Sequence, residues 1–183
     1  VGCGTGALTG ELVARLGPAA VAAVDPSEPF VAATRERHPG VDVRRSQAEH
    51  LPFPNAAFDA ALAQLVVHFM KDPVEGLTEM RRVTRRDGIV AACVWDHGGG
   101  EGPLGIFWDA VRKLDPGIEG ESHLAGARKG HVAELFEAAG LRDIELRSIR
   151  NSATSRCSRP CTRRHRRSRP RRRPHRSLRS SRI

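Results

Sequence analysis

Residues 1–10 read VGCGTGALTG, with three glycines at alternate positions running directly into an apolar-periodic segment. Gly2, Gly4 and Gly6 at such a junction permit a tight turn, a close backbone approach and N–H groups aimed at a ligand. The periodicity predicts a helix over residues 7–16, and the mostly apolar AAVAAVD at residues 19–25 suits a buried strand. That run closes on Asp25, about 20 residues beyond the turn, where an acidic residue commonly takes ribose hydroxyls. The pair describes a seat for an adenosine-containing ligand. Spacing alone leaves two classes of ligand open, because G-x-G-x-G and the dinucleotide variant G-x-G-x-x-A both fit residues 2–7.

Outward from the turn, strands and helices alternate. PSEPFVAATRERH reads as a helix with Ser27 at its N-cap, VDVRRS as a strand, and FDAALAQLV from Phe58 as another. In PVEGLTEMRRVTRRDG, Val74, Leu77, Met80 and Val83 form one helical stripe, with Pro73 in the first turn and Gly88 past the end. IVAACVWD predicts a further buried strand, residues 103–114 and 130–140 two helices, and LRDIELRSI a last strand. Such alternation predicts an α/β fold, a parallel sheet covered on both faces with right-handed crossovers and ligands at the carboxyl ends of its strands.

The 183 residues suffice for one domain with a sizeable core, and their composition divides near Arg150. Residues 151–183 contain thirteen Arg and no Lys, Asp, Glu or aromatic residue, so that stretch cannot build a core and is expected to be a disordered tail. It holds thirteen of the 30 basic residues, which leaves 17 against 21 acidic ones before it, and the net +9 belongs to the tail alone. Clustered Arg binds nucleic acid non-specifically, but no aromatic is interleaved for stacking. Cys157, Cys161, His165 and His175 imitate zinc-ligand spacing, yet surrounding Arg charge opposes a dication and no metal is expected. With no long apolar run and no dense cysteine framework, the expected setting is a reducing cytoplasm without membrane insertion.

Five segments in this order, VGCGTG (residues 1–6), VDPSEPFV (24–31), QAEHLPFPNAAFDAALAQLVVHFMKDP (47–73), LTEMRRVTRRDG (77–88) and IVAACVWD (89–96), resemble the class I S-adenosylmethionine-dependent methyltransferases. The likeness is greatest to the small-molecule branch called methyltransferase type 11 and covers residues 1 to about 150. It implies a Rossmann-like doubly wound sheet of seven strands, with S-adenosyl-L-methionine over the ends of the first, second and fourth. By position, Gly2, Gly4 and Gly6 would lie beside the methionine moiety and Asp25 would accept from the ribose hydroxyls. Gln47, Ala48 and Glu49 would lie against adenine; similar sequences often carry Asp at the place of Gln47, whose amide oxygen can still accept from the adenine amino group. Gln64, Leu65 and His68 would follow the strand that leads to the reactive end of the cofactor and the entrance of a small-molecule methyl acceptor. His68 and His123 are the candidate general bases. Glu79, Arg82 and Arg85 read as a solvated helix face, and residues 97–129 as the acceptor-recognition segment.

The same resemblance makes both ends irregular. A buried first strand belongs before the glycine turn, where only Val1 stands, so the chain is expected to be a fragment whose reading frame opens inside the gene. A hairpin-like seventh strand belongs where the Arg-rich tail begins, and that tail has the composition of a shifted frame in GC-rich coding DNA. Two other functions remain open on sequence: an NAD(P)-dependent oxidoreductase domain using Gly2, Gly4, Ala7 and Asp25, and a noncatalytic nucleic-acid-binding protein acting through the tail.

Overall fold

The glycine turn feeds straight into the first helix. In the computed structural model, which describes residues 1–97, 104–118 and 120–148, Gly6 takes a left-handed conformation (φ +87°) and α1 (Ala7–Leu16) follows with no side-chain cap. A 3-10 turn over Pro18–Ala20 then leads to β1 (Ala22–Asp25), shorter than the predicted strand by that turn. Next come α2 (Glu28–Arg37) and β2 (Asp42–Arg45), paired parallel to β1 from Ala22 opposite Asp42 to Asp25 opposite Arg45.

β3 (Phe58–Gln64), α3 (Pro73–Val83) and β4 (Thr84–Cys93) form a second parallel crossover unit. Asp72 starts α3, its Oδ1 accepting from the Glu75 amide at 2.9 Å, with Pro73 in the first turn where a missing N–H costs nothing. The helix ends at Val83, five residues before the predicted stop at Gly88, because Thr84 already pairs with Phe58. Regular pairing resumes at Ala60 opposite Ile89, so residues 85–88 bulge out, with Asp87 at φ +61°.

The sheet is partial, in keeping with an expected doubly wound sheet whose first strand is largely missing and whose seventh is absent: among the described residues it consists of two parallel pairs, β1–β2 and β3–β4. Residues 1–3 run between them. The Cys3 amide donates to Val24 O at 2.9 Å and the Val1 nitrogen to Leu62 O at 2.7 Å. One bond to each side joins the halves but is too short a ladder to count as a strand. The main core lies under this junction, where Leu77 and Met80 of α3 meet Val24, Ala61 and Ala63 of the strands and Phe136 of α5 (His131–Ala138).

Beyond β4, α4 spans Gly105–Leu114, within the predicted helix, and a 3-10 turn spans Glu121–His123. The strand expected at residues 141–149 is absent from its described part, residues 141–148. Leu141 and Ile144 still pack on the core; three residues apart, they could not share a face in the two-residue repeat of a strand. Val1–Leu146 forms one unit, and the Arg-rich tail lies outside the described residues.

Leu77 has no exposed surface and sits where both strand pairs meet the helical layer. Leu77→Ala should lower unfolding free energy by about 2–5 kcal/mol, read as a fall in the urea midpoint.

Candidate functional site

Asp25 ends β1 with both carboxylate oxygens engaged by backbone. Oδ2 accepts from the Gly4 amide and Oδ1 from the Ser27 amide, each at 2.9 Å, and the residue is only 6% exposed. A carboxylate offers about four lone-pair sites, so two remain for a ligand. The bonds fix the carboxylate against the glycine turn at the carboxyl end of the strand.

α2 holds the opposite side of that turn. Thr34 Oγ1 donates to Gly4 O at 2.9 Å, Arg37 Nη1 to Thr5 O at 2.5 Å, and His38 Nε2 pairs with Gly6 O at 3.0 Å. Three consecutive carbonyls are thereby taken by one helix face, which directs the turn's other side toward open space. Sequence reasoning passed over Thr34, Arg37 and His38; their spacing of three and four is the signal that they share a face.

The three glycines serve different ends. Gly2 (φ +64°) lets the chain pass Val66, whose methyl would lie 2.3 Å from an added Cβ. Gly4 (φ +53°) has no protein atom within 4 Å of the same position, so its missing side chain leaves room for something other than protein. Gly6 faces His38 and Thr34 instead, and turns the backbone into α1.

A cavity of about 470 Å³, within the usual range for ligand pockets, opens over Gly2, Gly4 and Asp25. Gln47, Ala48, Glu49 and Gln64 also line it, so seven of the eight residues expected to bind the cofactor share one wall and Gly6 alone stands behind it. Phe30, Phe69 and Met70 add apolar surface that the sequence did not reveal; Phe30 and Phe69 are 44% and 75% exposed there. Glu49 Oε1 accepts from the Lys71 and Asp72 amides at 2.7 and 3.1 Å, tying this wall to the start of α3. Leu65, also on the wall, is left-handed at φ +58°, a conformation that costs a leucine about 1–2 kcal/mol, and its amide bonds to Cys93 O at 2.8 Å.

The two histidines proposed as bases are not on the cavity wall. His68 is 8% exposed in the 3-10 turn Val67–Phe69, directly before Phe69, and its Nδ1 has no hydrogen-bond partner. Its ring stands 6.0 Å from that of His97, whose Nδ1 is 3.6 Å from Glu121 Oε2. Burial, and then His97, lower its pKa, which keeps it neutral. His123 is exposed, with Nδ1 at 2.7 Å from Gly120 O.

A family model described as a methyltransferase domain matches residues 1–92, half of the chain. This chain belongs to the methyltransferase domain family. A rice protein, 2-methyl-6-phytyl-1,4-hydroquinone methyltransferase 2, chloroplastic, is 30% identical over 81% of this chain and 40% of its own length. The crystal structure of a SAM-dependent methyltransferase from Thermotoga maritima superimposes with a TM-score of 0.56 at 27% identity, covering 76% of this chain and 60% of the other. One from Aquifex aeolicus gives 0.60 at 23% identity, covering 77% and 69%, a likeness of fold alone. The chain thus spans less than half the length of its rice relative. Its fold is the Rossmann-like one of S-adenosylmethionine-dependent methyltransferases, and the family's cofactor is S-adenosyl-L-methionine. The site fits that molecule: the turn is open beside Gly4, and Asp25 keeps acceptor capacity for vicinal hydroxyls. Among the described residues no helix is long and apolar enough to cross a membrane.

Because folded His68 binds its proton more weakly than the unfolded chain does, its contribution is complete above the unfolded pKa of about 6.5. It declines as pH falls from there toward the lowered folded value. His68→Gln should flatten the acid limb of the thermal midpoint against pH; equal limbs in both proteins would assign the sensitivity elsewhere.

Proposed function

We propose that this chain is the cofactor-binding part of a methyltransferase that passes the methyl group of S-adenosyl-L-methionine to a small-molecule acceptor. The carrying observation is the Asp25 carboxylate bonded to the Gly4 amide at the rim of the cavity that Gln47, Ala48 and Glu49 also line. Bound there, the sulfonium supplies a methyl group that is already activated. The chain's residues then act chiefly by placement, which can supply about 7 to 11 kcal/mol of barrier reduction. Asp25 takes the ribose hydroxyls, the open face of Gly4 admits the amino-acid end, and Phe30 and Met70 exclude water from the sides.

Acceptor recognition belongs to the segment after β4, where His97 and Trp108 converge on Glu121, the indole Nε1 donating to Oε2 at 3.1 Å. Of the two candidate bases, His68 has the better support: it is neutral, buried beside the cavity-lining Phe69, and carries an unpartnered Nδ1. His123 spends its Nδ1 on Gly120 and serves instead in shaping the acceptor segment.

Calorimetry with S-adenosylhomocysteine tests this reading. Asp25→Ala should weaken binding about 10- to 150-fold, the worth of charge-assisted hydrogen bonds. Gly4→Ala should cost only about 1–2 kcal/mol in stability while blocking the ligand, since its new methyl group meets no protein atom. Binding of NAD by the unaltered chain, without binding of S-adenosylhomocysteine, would overturn the proposal.

A further inference from the structure

One polar cluster behind the cavity wall has no part in the proposal above. Glu79 and Arg82, one turn apart on α3, occupy what the sequence presents as a solvated face, yet their side chains are only 17% and 31% exposed. Arg82 donates from Nε to Glu79 Oε1 at 2.6 Å and from Nη2 to Oε2 at 2.7 Å. From Nη2 it also reaches Leu51 O at 2.9 Å, and from Nη1 Phe53 O at 2.8 Å and Asn55 Oδ1 at 2.9 Å. These five bonds match the five N–H donors of a guanidinium. Glu79 Oε2 in turn accepts from the Leu51 amide at 2.9 Å.

The segment so gripped has few bonds of its own, the His50 amide to Gln47 O and the Phe53 amide to Leu51 O, with Arg44 Nη1 reaching Pro52 O. Pro52 and Pro54 have no N–H to give, and among the described residues no strand pairs with residues 47–57. The ion pair satisfies both backbone groups of Leu51 and the carbonyl of Phe53, immediately after Gln47, Ala48 and Glu49 on the cavity wall. With Glu49 tied to the amides of Lys71 and Asp72, the segment is fastened to α3 at its start and at its middle. Arg82, led by its bond to Glu79, holds that carboxyl below the usual carboxylate range, so the pair stays charged near neutral pH.

We propose that Glu79 and Arg82 are positioning residues for the adenine side of the cavity: without touching ligand, they hold residues 47–49 in the shape that reads the base. This rests on the S-adenosylmethionine reading. A wall left loose would have to be ordered at each binding event, and affinity would fall by that cost. Lysine cannot replace the arginine, because three donors on a flexible stem cannot supply five bonds in a fixed plane.

The experiment measures calorimetric affinities of the full chain for S-adenosylhomocysteine and S-inosylhomocysteine, which differ at the adenine amino group. The unaltered chain should prefer the adenosyl compound. Arg82→Lys, its fold checked by circular dichroism, should bind that compound about tenfold more weakly, the scale seen for groups that orient direct ligands, and lose most of the preference. A general loss of folded protein would weaken both ligands equally and leave the ratio intact, and that result overturns the inference. So does an Arg82→Lys chain within twofold of the unaltered one, or an unaltered chain with no preference. If Arg82→Lys does not fold, Glu79→Gln, which keeps an acceptor for the Leu51 amide, takes its place under the same criteria. An unaltered chain that takes up no S-adenosylhomocysteine overturns the cofactor reading as well.

Discussion

The cavity of this molecule is built around a carboxylate held half-satisfied and immobile at the end of a strand. Asp25 meets those conditions because two backbone amides reach it from opposite sides, Gly4 from the turn and Ser27 from the start of α2. Together the two amides leave it acceptor capacity on the open side. The turn is fastened independently through the carbonyls that Thr34, Arg37 and His38 take. Turn, strand end and second helix therefore behave as one piece, and a ligand meets a site that is already ordered.

What could be read in the sequence was local. The helix over residues 7–16 and the strand ending at Asp25 follow from periodicity and from glycine, whose effects lie within a few residues of their cause. The wall residues Gln47, Ala48, Glu49 and Gln64 were placed by likeness to the family and came together in one cavity. What could not be read depends on partners far along the chain. Arg82 beside Glu79 has the pattern of an ordinary exposed pair, and only the carbonyls of Leu51 and Phe53, about thirty residues earlier, make it a clamp. Residues 141–148 have the composition of a strand, but the two that pack on the core, Leu141 and Ile144, are three apart, a spacing set by the core and not by the two-residue repeat of a strand. Ser27 shows both sides at once: it occupies the N-cap of α2 as its type predicts, yet its side chain makes no capping bond while its amide is spent on Asp25.

Two strand ends meet at the cavity: β1 ends on Asp25 and β3 on Gln64, and just beyond β3 Leu65 keeps a left-handed backbone and His68 a bare ring nitrogen. Both features are unfavourable in a purely structural account, since the first costs torsional energy and the second a hydrogen bond. They lie within four residues of each other, at the carboxyl end of β3. Unfavourable local terms concentrated at one strand end are what a site retains when chemistry, rather than stability, determines its residues.

Residues 1–3 run between the two strand pairs, the Cys3 amide bonded to Val24 O and the terminal amine of Val1 to Leu62 O. Side chains also unite the two pairs. Val24 from one pair and Ala61 and Ala63 from the other belong to one cluster, closed from below by Leu77 and Met80, neither of which has any exposed surface. α3 is thus the beam of the structure: its apolar face unites the strand pairs, the two residues before its first turn anchor Glu49, and its ion pair grips the segment that follows Gln47, Ala48 and Glu49. A change that tilts α3 would displace core and cavity wall together, which couples the stability of this domain to the shape of its cavity.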